Sequence, residues 1–283
     1  MKWRVAFAAG TLAVLVWRVG AGPFLDGLRT VDGEALAAAS GLAVLTTLCC
    51  AWRWRIVAHG LDLELPLGTA VAAYYRSLFL NVTLPGGVVG DVHRGLSHAR
   101  ARGLRAVAWE RAAGQVVQVV LTVAALLVLP SPVRSGMPFV ALGLLACAAV
   151  VVVALRVRPT ALVTRELRAG LRAWPAIALA SALIVAGHAL TFLIAARAAG
   201  VSEPALELLP LALLVLAAGA LPNIGGWGPR EGMTAWGFAA AGLGASLGVT
   251  TAVAYGVMVF VASLPGAAVL GLGAFKRREA VHA

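Results

Sequence analysis

Apolar residues run almost unbroken along this chain, in stretches at 4–19, 35–51, 112–130, 137–155, 174–196 and 249–275. An α-helix needs roughly 20 such residues to cross a hydrocarbon core about 30 Å thick. The stretches are continuous rather than alternating and rich in Ala, Leu and Gly, which predicts helices and not barrel strands. Two further segments, 66–93 and 205–247, are apolar but interrupted by Pro and Gly clusters. The pattern therefore predicts an all-α, polytopic membrane helix bundle of about six full spans and two broken hairpins. All of it forms a single integral membrane domain over residues 1–283.

Composition agrees with that pattern. Of the 283 residues, 61% are hydrophobic and 12% charged, with mean hydropathy +0.91. A soluble domain carries about 25% charged residues. The formal net charge of +11 would suggest nucleic acid in a soluble protein. Here no polar domain exists to carry such binding, and the cations read as topology signals and lipid-phosphate contacts. Cys49, Cys50 and Cys147 lie in apolar runs without metal or redox spacing, so they read as small packing residues. The basic start Met1-Lys2-Trp3-Arg4 and the apolar stretch after it resemble a secretion signal; the expectation is an uncleaved first span.

The distribution of Lys and Arg sets the orientation. Basic groups recur at Lys2/Arg4, Arg53/Arg55, Arg94–Arg111, Arg156–Arg172 and Lys276–Arg278. Placing all of them on the cytoplasmic side puts both termini there, in a bacterial cytoplasmic (inner) membrane. Segment 66–93 then cannot cross once, which predicts a re-entrant hairpin turning at Leu84-Pro85-Gly86-Gly87. Segment 205–247 must leave and return on the outer side. It does so either as two short spans or as a hairpin breaking at Leu221-Pro222-Asn223. Two interrupted segments of opposite direction read as an inverted repeat, and such pairs point to a transporter's substrate site.

At each break a new helix starts inside the protein. Gly90-Asp91 reads as the N-cap of one, and Gly228-Pro229 places Pro in the first turn of the other. Helix N-termini with an arginine close behind, Arg94 and Arg230, form a receptor for an anion, a lipid phosphate above all. The blander readings are that Asp91 only caps, that Glu231 only occupies a first turn, and that Arg94 is one more topology signal. Arg230 lies in so apolar a stretch that it requires a partner. Arg76 either faces a polar cavity leading to the break or snorkels to the interface beside Tyr74 and Tyr75. Glu110-Arg111 opens the next span. Glu110, Gln118 and, less closely, Gln115 share a helical face. His188, alone within a span, reads as a hydrogen-bonded packing residue. No metal spacing, nucleotide loop, protease elbow or second intramembrane aspartate occurs, so no enzyme activity and no cofactor are expected.

The motifs Asn81-x-x-Leu84-Pro85-Gly86-Gly87-x-x-Gly90-Asp91-x-x-Arg94, then Glu110-Arg111, then Pro222-x-x-Gly225-Gly226-x-Gly228-x-Arg230-Glu231-Gly232 resemble the lysylphosphatidylglycerol synthase transmembrane-region family. The resemblance covers nearly the whole chain. It implies a flippase-like bundle of about eight membrane segments that moves a lipid between leaflets. The sequence reaches Ala283 without an aminoacyl-transfer domain, so synthesis of the lysyl-lipid is not expected. The expected cargo is an anionic phospholipid or a lipid-linked polyprenyl or glycolipid phosphate. The expected partners are membrane lipids and a lipid-modifying enzyme or glycosyltransferase. The expected substrate-binding set is Arg76, Asn81, Pro85, Gly86, Gly87, Asp91, Arg94, Glu110, Arg111, Asn223, Gly225, Gly226, Arg230 and Glu231. A small-anion or proton-coupled solute transporter, or a non-catalytic partner of a glycosyltransferase, are the alternatives.

Overall fold

A computed structural model describes residues 10, 13, 16–84, 87–130, 161–221, 223 and 227–272. The span expected at 137–155, most of the one at 4–19 and the last basic group lie outside them. Every element among the described residues is an α-helix. In chain order they are α1 (Gly22–Arg29), α2 (Gly33–His59), α3 (Leu67–Thr83), α4 (Val89–Ser97) and α5 (Ala101–Val128). They continue as α6 (Ala161–Arg172), α7 (Trp174–Ala198), α8 (Ala205–Ala218), α9 (Pro229–Ala240) and α10 (Ala245–Ser263).

Four helices are long and apolar enough to span a membrane: Gly33–His59, Ala101–Val128, Trp174–Ala198 and Ala245–Leu272. The last is α10 continued past a turn at Leu264, where Pro265 removes the amide that would bond four residues back. α2 begins on Asp32, whose side chain accepts from the Ala35 amide at 2.8 Å. α5 starts at Ala101, well before the apolar run at 112. Its first turns are Arg- and Ala-rich, both good helix formers, and Glu110 and Arg105 find partners on neighbouring helices.

Both interrupted segments form pairs of short helices. At about 1.5 Å per residue, the 17 residues of α3 reach roughly 25 Å and the 9 of α4 roughly 14 Å. The 14 residues of α8 and 12 of α9 reach about 21 and 18 Å. All fall short of a hydrocarbon core about 30 Å thick. α3 packs on α4 and α8 on α9. Gly90 permits the first approach: a methyl there would lie 2.7 Å from the Ser77 backbone.

α7 is the seam of the bundle, packed against α2, α5, α8 and α10. On one side of it a core of Ala51, Trp54, Val57, Ala73, Tyr74 and Val107 joins α2, α3 and α5. On the other, Phe192, Leu211, Val215, Phe238, Tyr255 and Met258 join α7, α8, α9 and α10.

Candidate functional site

The first break gathers charge. Glu110 on α5 is completely buried and accepts from three side chains. Arg53 of α2 reaches it through Nε at 2.9 Å and through Nη2, Arg94 of α4 through Nη2 at 2.9 Å, and the Tyr74 hydroxyl of α3 at 3.0 Å. Asp91 lies beside it. Its carboxylate accepts from Ser77 Oγ at 3.0 Å, Asn81 Nδ2 at 3.2 Å, Arg94 Nη2 at 3.1 Å and Arg111 Nη2 at 2.6 Å. Arg53 also donates to Ser181 Oγ on α7 at 3.0 Å. Three guanidinium groups thus share two carboxylates, leaving the cluster with a formal charge of +1. So many charge-assisted bonds are what make such burial tolerable, since an isolated buried charge costs several kcal/mol.

Arg94 is 1% exposed and lies between two aromatic faces, 4.4 Å from the Trp54 centroid and 4.2 Å from Tyr74. Its Nε and Nη1 have no hydrogen-bond acceptor, so ring faces stand in for oxygen. Arg111 is the open member, with its side chain 46% exposed while it holds Asp91.

Two expectations for this break need correction. α4 begins at Val89, with Val88 in the cap position and no side-chain cap, so Asp91 is not the N-cap. Its carboxylate is drawn instead to the cations and to α3. Asn81, across the break, accepts from the Gly90 amide at 2.8 Å and takes the capping role. Arg94 falls in the last turn of α4, not the first, so it does not act beside free N-terminal amides.

The second break is simpler. Glu231 is fully buried and accepts from Arg230 Nε at 3.0 Å. Its other oxygen accepts from the Gly228 amide, three residues back, which ties the helix start to the same carboxylate. Arg230 lies against Trp227 and Tyr255, 5.6 and 5.0 Å from their centroids. Tyr255 hydrogen-bonds His188 Nδ1 on α7 at 3.1 Å, which gives that histidine its packing partner.

The two breaks meet. Gly87 has φ +64°, and a methyl built on it would lie 3.0 Å from Cγ of Asn223. Asn223 donates to the carbonyls of Gly219 and Leu221 at the end of α8, at 3.3 and 3.0 Å. α7 links the clusters a second way: Ser181 touches Arg53, and His188 touches Tyr255 beside Arg230. These positions are seven apart, two turns along one face and about 10 Å in rise.

Of the expected residues, Asn81, Asp91, Arg94, Glu110 and Arg111 share the first cluster, and Arg230 and Glu231 form the second. Pro85, Gly86, Gly225 and Gly226 lie outside the described residues. Arg76 stands apart: it forms no ion pair among the described residues, and its Nε is buried without an acceptor. Gln118 is buried and donates to Leu213 O at 3.1 Å, whereas Gln115 is exposed.

Sequence reasoning missed Arg53, counted only as a topology signal. The signal for it was periodic. Cys50, Ala51, Trp54, Val57 and Ala58 make a helical stripe, and Arg53 lies on it while Arg55 faces outward. Tyr74, named in sequence only as one of the aromatics beside which Arg76 could snorkel, is 1% exposed and bonded to Glu110.

A family model described as the lysylphosphatidylglycerol synthase TM region matches residues 1–266. No match is found among curated proteins or among solved structures.

Proposed function

The chain belongs to the lysylphosphatidylglycerol synthase TM region family, and from that premise we propose that it is a lipid flippase-like transporter. Family membership itself makes it a multi-pass membrane protein related to lipid modification or transport. Our reading is that it moves an anionic phospholipid, or a lipid-linked polyprenyl or glycolipid phosphate, between leaflets of a bacterial cytoplasmic membrane. It does so without chemistry of its own, alone or beside a lipid-modifying enzyme or glycosyltransferase.

The observation that carries the reading is the meeting of the two breaks at Gly87 and Asn223, with buried arginines behind each. In this reading the helix pairs α3–α4 and α8–α9 are re-entrant hairpins of an inverted repeat. A headgroup phosphate first meets Arg111, the exposed cation, and displaces Asp91 from it. Asp91 remains held by Arg94, Ser77 and Asn81, so the exchange strands no charge. The cluster's formal +1 suits one added negative charge, which a phosphodiester supplies. The tails stay in lipid while the hairpins rock about the site, and the carboxylates return to the arginines once the headgroup leaves.

Purified protein in proteoliposomes tests this, with labelled anionic phospholipid, aminoacylated phospholipid, polyprenyl phosphate and a zwitterionic control. Arg111→Gln and Arg230→Lys are run beside wild type, each checked for a monodisperse fold. The expected result is movement of a phosphate-bearing anionic lipid that falls at least tenfold in Arg111→Gln. Equal movement in that variant removes the assigned site. No movement of any lipid, with or without an imposed proton gradient or potential, removes the flippase reading itself.

A further inference from the structure

Among the described residues, an open groove of about 1440 Å³ lies away from the buried clusters, between the end of α2 with the 60–66 connection and the face of α6. That exceeds the 300–1,000 Å³ of an ordinary small-molecule pocket.

Its wall is basic by construction. Arg165, Arg168 and Arg172 recur at i, i+3 and i+7, which puts them on one face of α6, and Arg55 projects from the last turns of α2 opposite. The acid of α6 points elsewhere. Glu166 is buried against α5, where it accepts from Arg105 Nε at 2.9 Å and Trp109 Nε1 at 2.8 Å. This anchoring fixes the rotation of α6 and leaves its arginines to the groove. Asp62 bonds Arg165 at 2.6 Å across the groove, but among the described residues Arg55, Arg168 and Arg172 form no ion pair.

The remaining lining is mixed, with Glu64, His59 and Thr164 as its polar members. Ile56, Leu63, Leu65 and Pro66 supply hydrocarbon surface beneath the cations. A topology signal requires only that arginines lie on the right side of the membrane. It does not require them to share one helical face across a cavity from a fourth.

We infer that this groove binds a phosphate-bearing amphiphile of net negative charge, its phosphate held by Arg55, Arg168 and Arg172 and its apolar part against Ile56, Leu63 and Leu65. The site is separate from the Glu110 cluster and does not depend on transport. The 63–65 segment nevertheless stands between the two. It also lines a small cavity of about 150 Å³ that reaches Trp54, the indole stacked on Arg94. The phosphate comes either from a membrane lipid or from a soluble phosphate compound, and the apolar floor favours the lipid.

The test is equilibrium binding to the full chain in uncharged detergent. The probes are short-chain phosphatidylglycerol, short-chain phosphatidylcholine and inorganic pyrophosphate. The variants are the double substitution Arg168→Ala/Arg172→Ala, the single reversal Arg172→Glu, and Arg29→Ala as an exposed cation on α1. Phosphatidylglycerol is expected to bind wild type and Arg29→Ala alike, at least tenfold weaker to either groove variant, and to lose affinity as salt rises. Pyrophosphate binding as tightly, with the same losses, keeps the phosphate site and assigns it to a soluble ligand. Three results overturn the inference: no probe binds wild type, phosphatidylcholine binds equally well, or a folded groove variant binds like wild type. Only the first of these also bears on the transport reading; the other two leave lipid movement through Arg111 standing, and Arg111→Gln tests that movement on its own, so the two readings fail separately.

Discussion

The two breaks read alike in sequence, Leu-Pro then glycines then an acid and an arginine, yet they bury charge by different means. At the first, five charged side chains from three helices share bonds, with Tyr74, Ser77 and Asn81 of α3 and Ser181 of α7 adding uncharged partners. At the second, adjacent residues Arg230 and Glu231 neutralise each other, and Trp227 and Tyr255 cover the guanidinium. The first cluster ties α2, α3, α4 and α5 to one another. The second stays largely within the start of α9. A network spanning several helices resists their separation, whereas a local pair moves with its own helix. The α3–α4 side is thus the more firmly tied half of the proposed site and the α8–α9 side the more loosely tied one.

Glu110→Gln is the sharpest way to break this contrast. It strips Arg53 and Arg94 of a shared counter-charge in a site closed to water. Breaking a buried pair costs about 3–5 kcal/mol, so little monodisperse protein should survive mild heating in detergent. A melting shift no larger than that of the second-break variant would show the first cluster to be no more than another local pair.

Glu231→Gln should cost less, about 2–3 kcal/mol, because the glutamine oxygen can still accept from Gly228 and the aromatic faces remain. The same thermal assay ranks it against Glu110→Gln. A larger loss here would reverse the assignment of the firmly and loosely tied halves.

Gly87→Ala probes where the halves touch. Alanine at φ +64° costs about 1 kcal/mol, and its methyl presses on Asn223. A small stability loss together with altered lipid movement is expected. Adding Asn223→Ala should relieve the contact but not the backbone strain, so movement should recover more than the melting temperature. If Gly87→Ala changes neither quantity, the breaks do not bear on one another.

Much of the fold was legible because lipid as solvent leaves a coarse signature. Long apolar runs announced α2, α5, α7 and α10, and the Pro and Gly clusters announced the two interrupted pairs. The start of α5 was misplaced because hydropathy marks where a helix becomes apolar, not where hydrogen bonding begins. Asp91, Arg94, Glu110, Arg230 and Glu231 stood out as charges in apolar surroundings, and that contrast needs no neighbours to be seen. Arg53 did not stand out, since a basic residue near the end of a span looks the same whether it faces solvent or a carboxylate 57 positions away.

What the sequence determined by itself, then, is the environment of each segment, because transfer from water to hydrocarbon depends on composition alone. Which carboxylate each arginine holds, that Asn81 rather than Asp91 caps α4, and that Gly87 meets Asn223 were decided only by tertiary structure. Ion pairs and hydrogen bonds act over about 3 Å. Which groups come that close is fixed by how the helices pack, and no single segment carries that information.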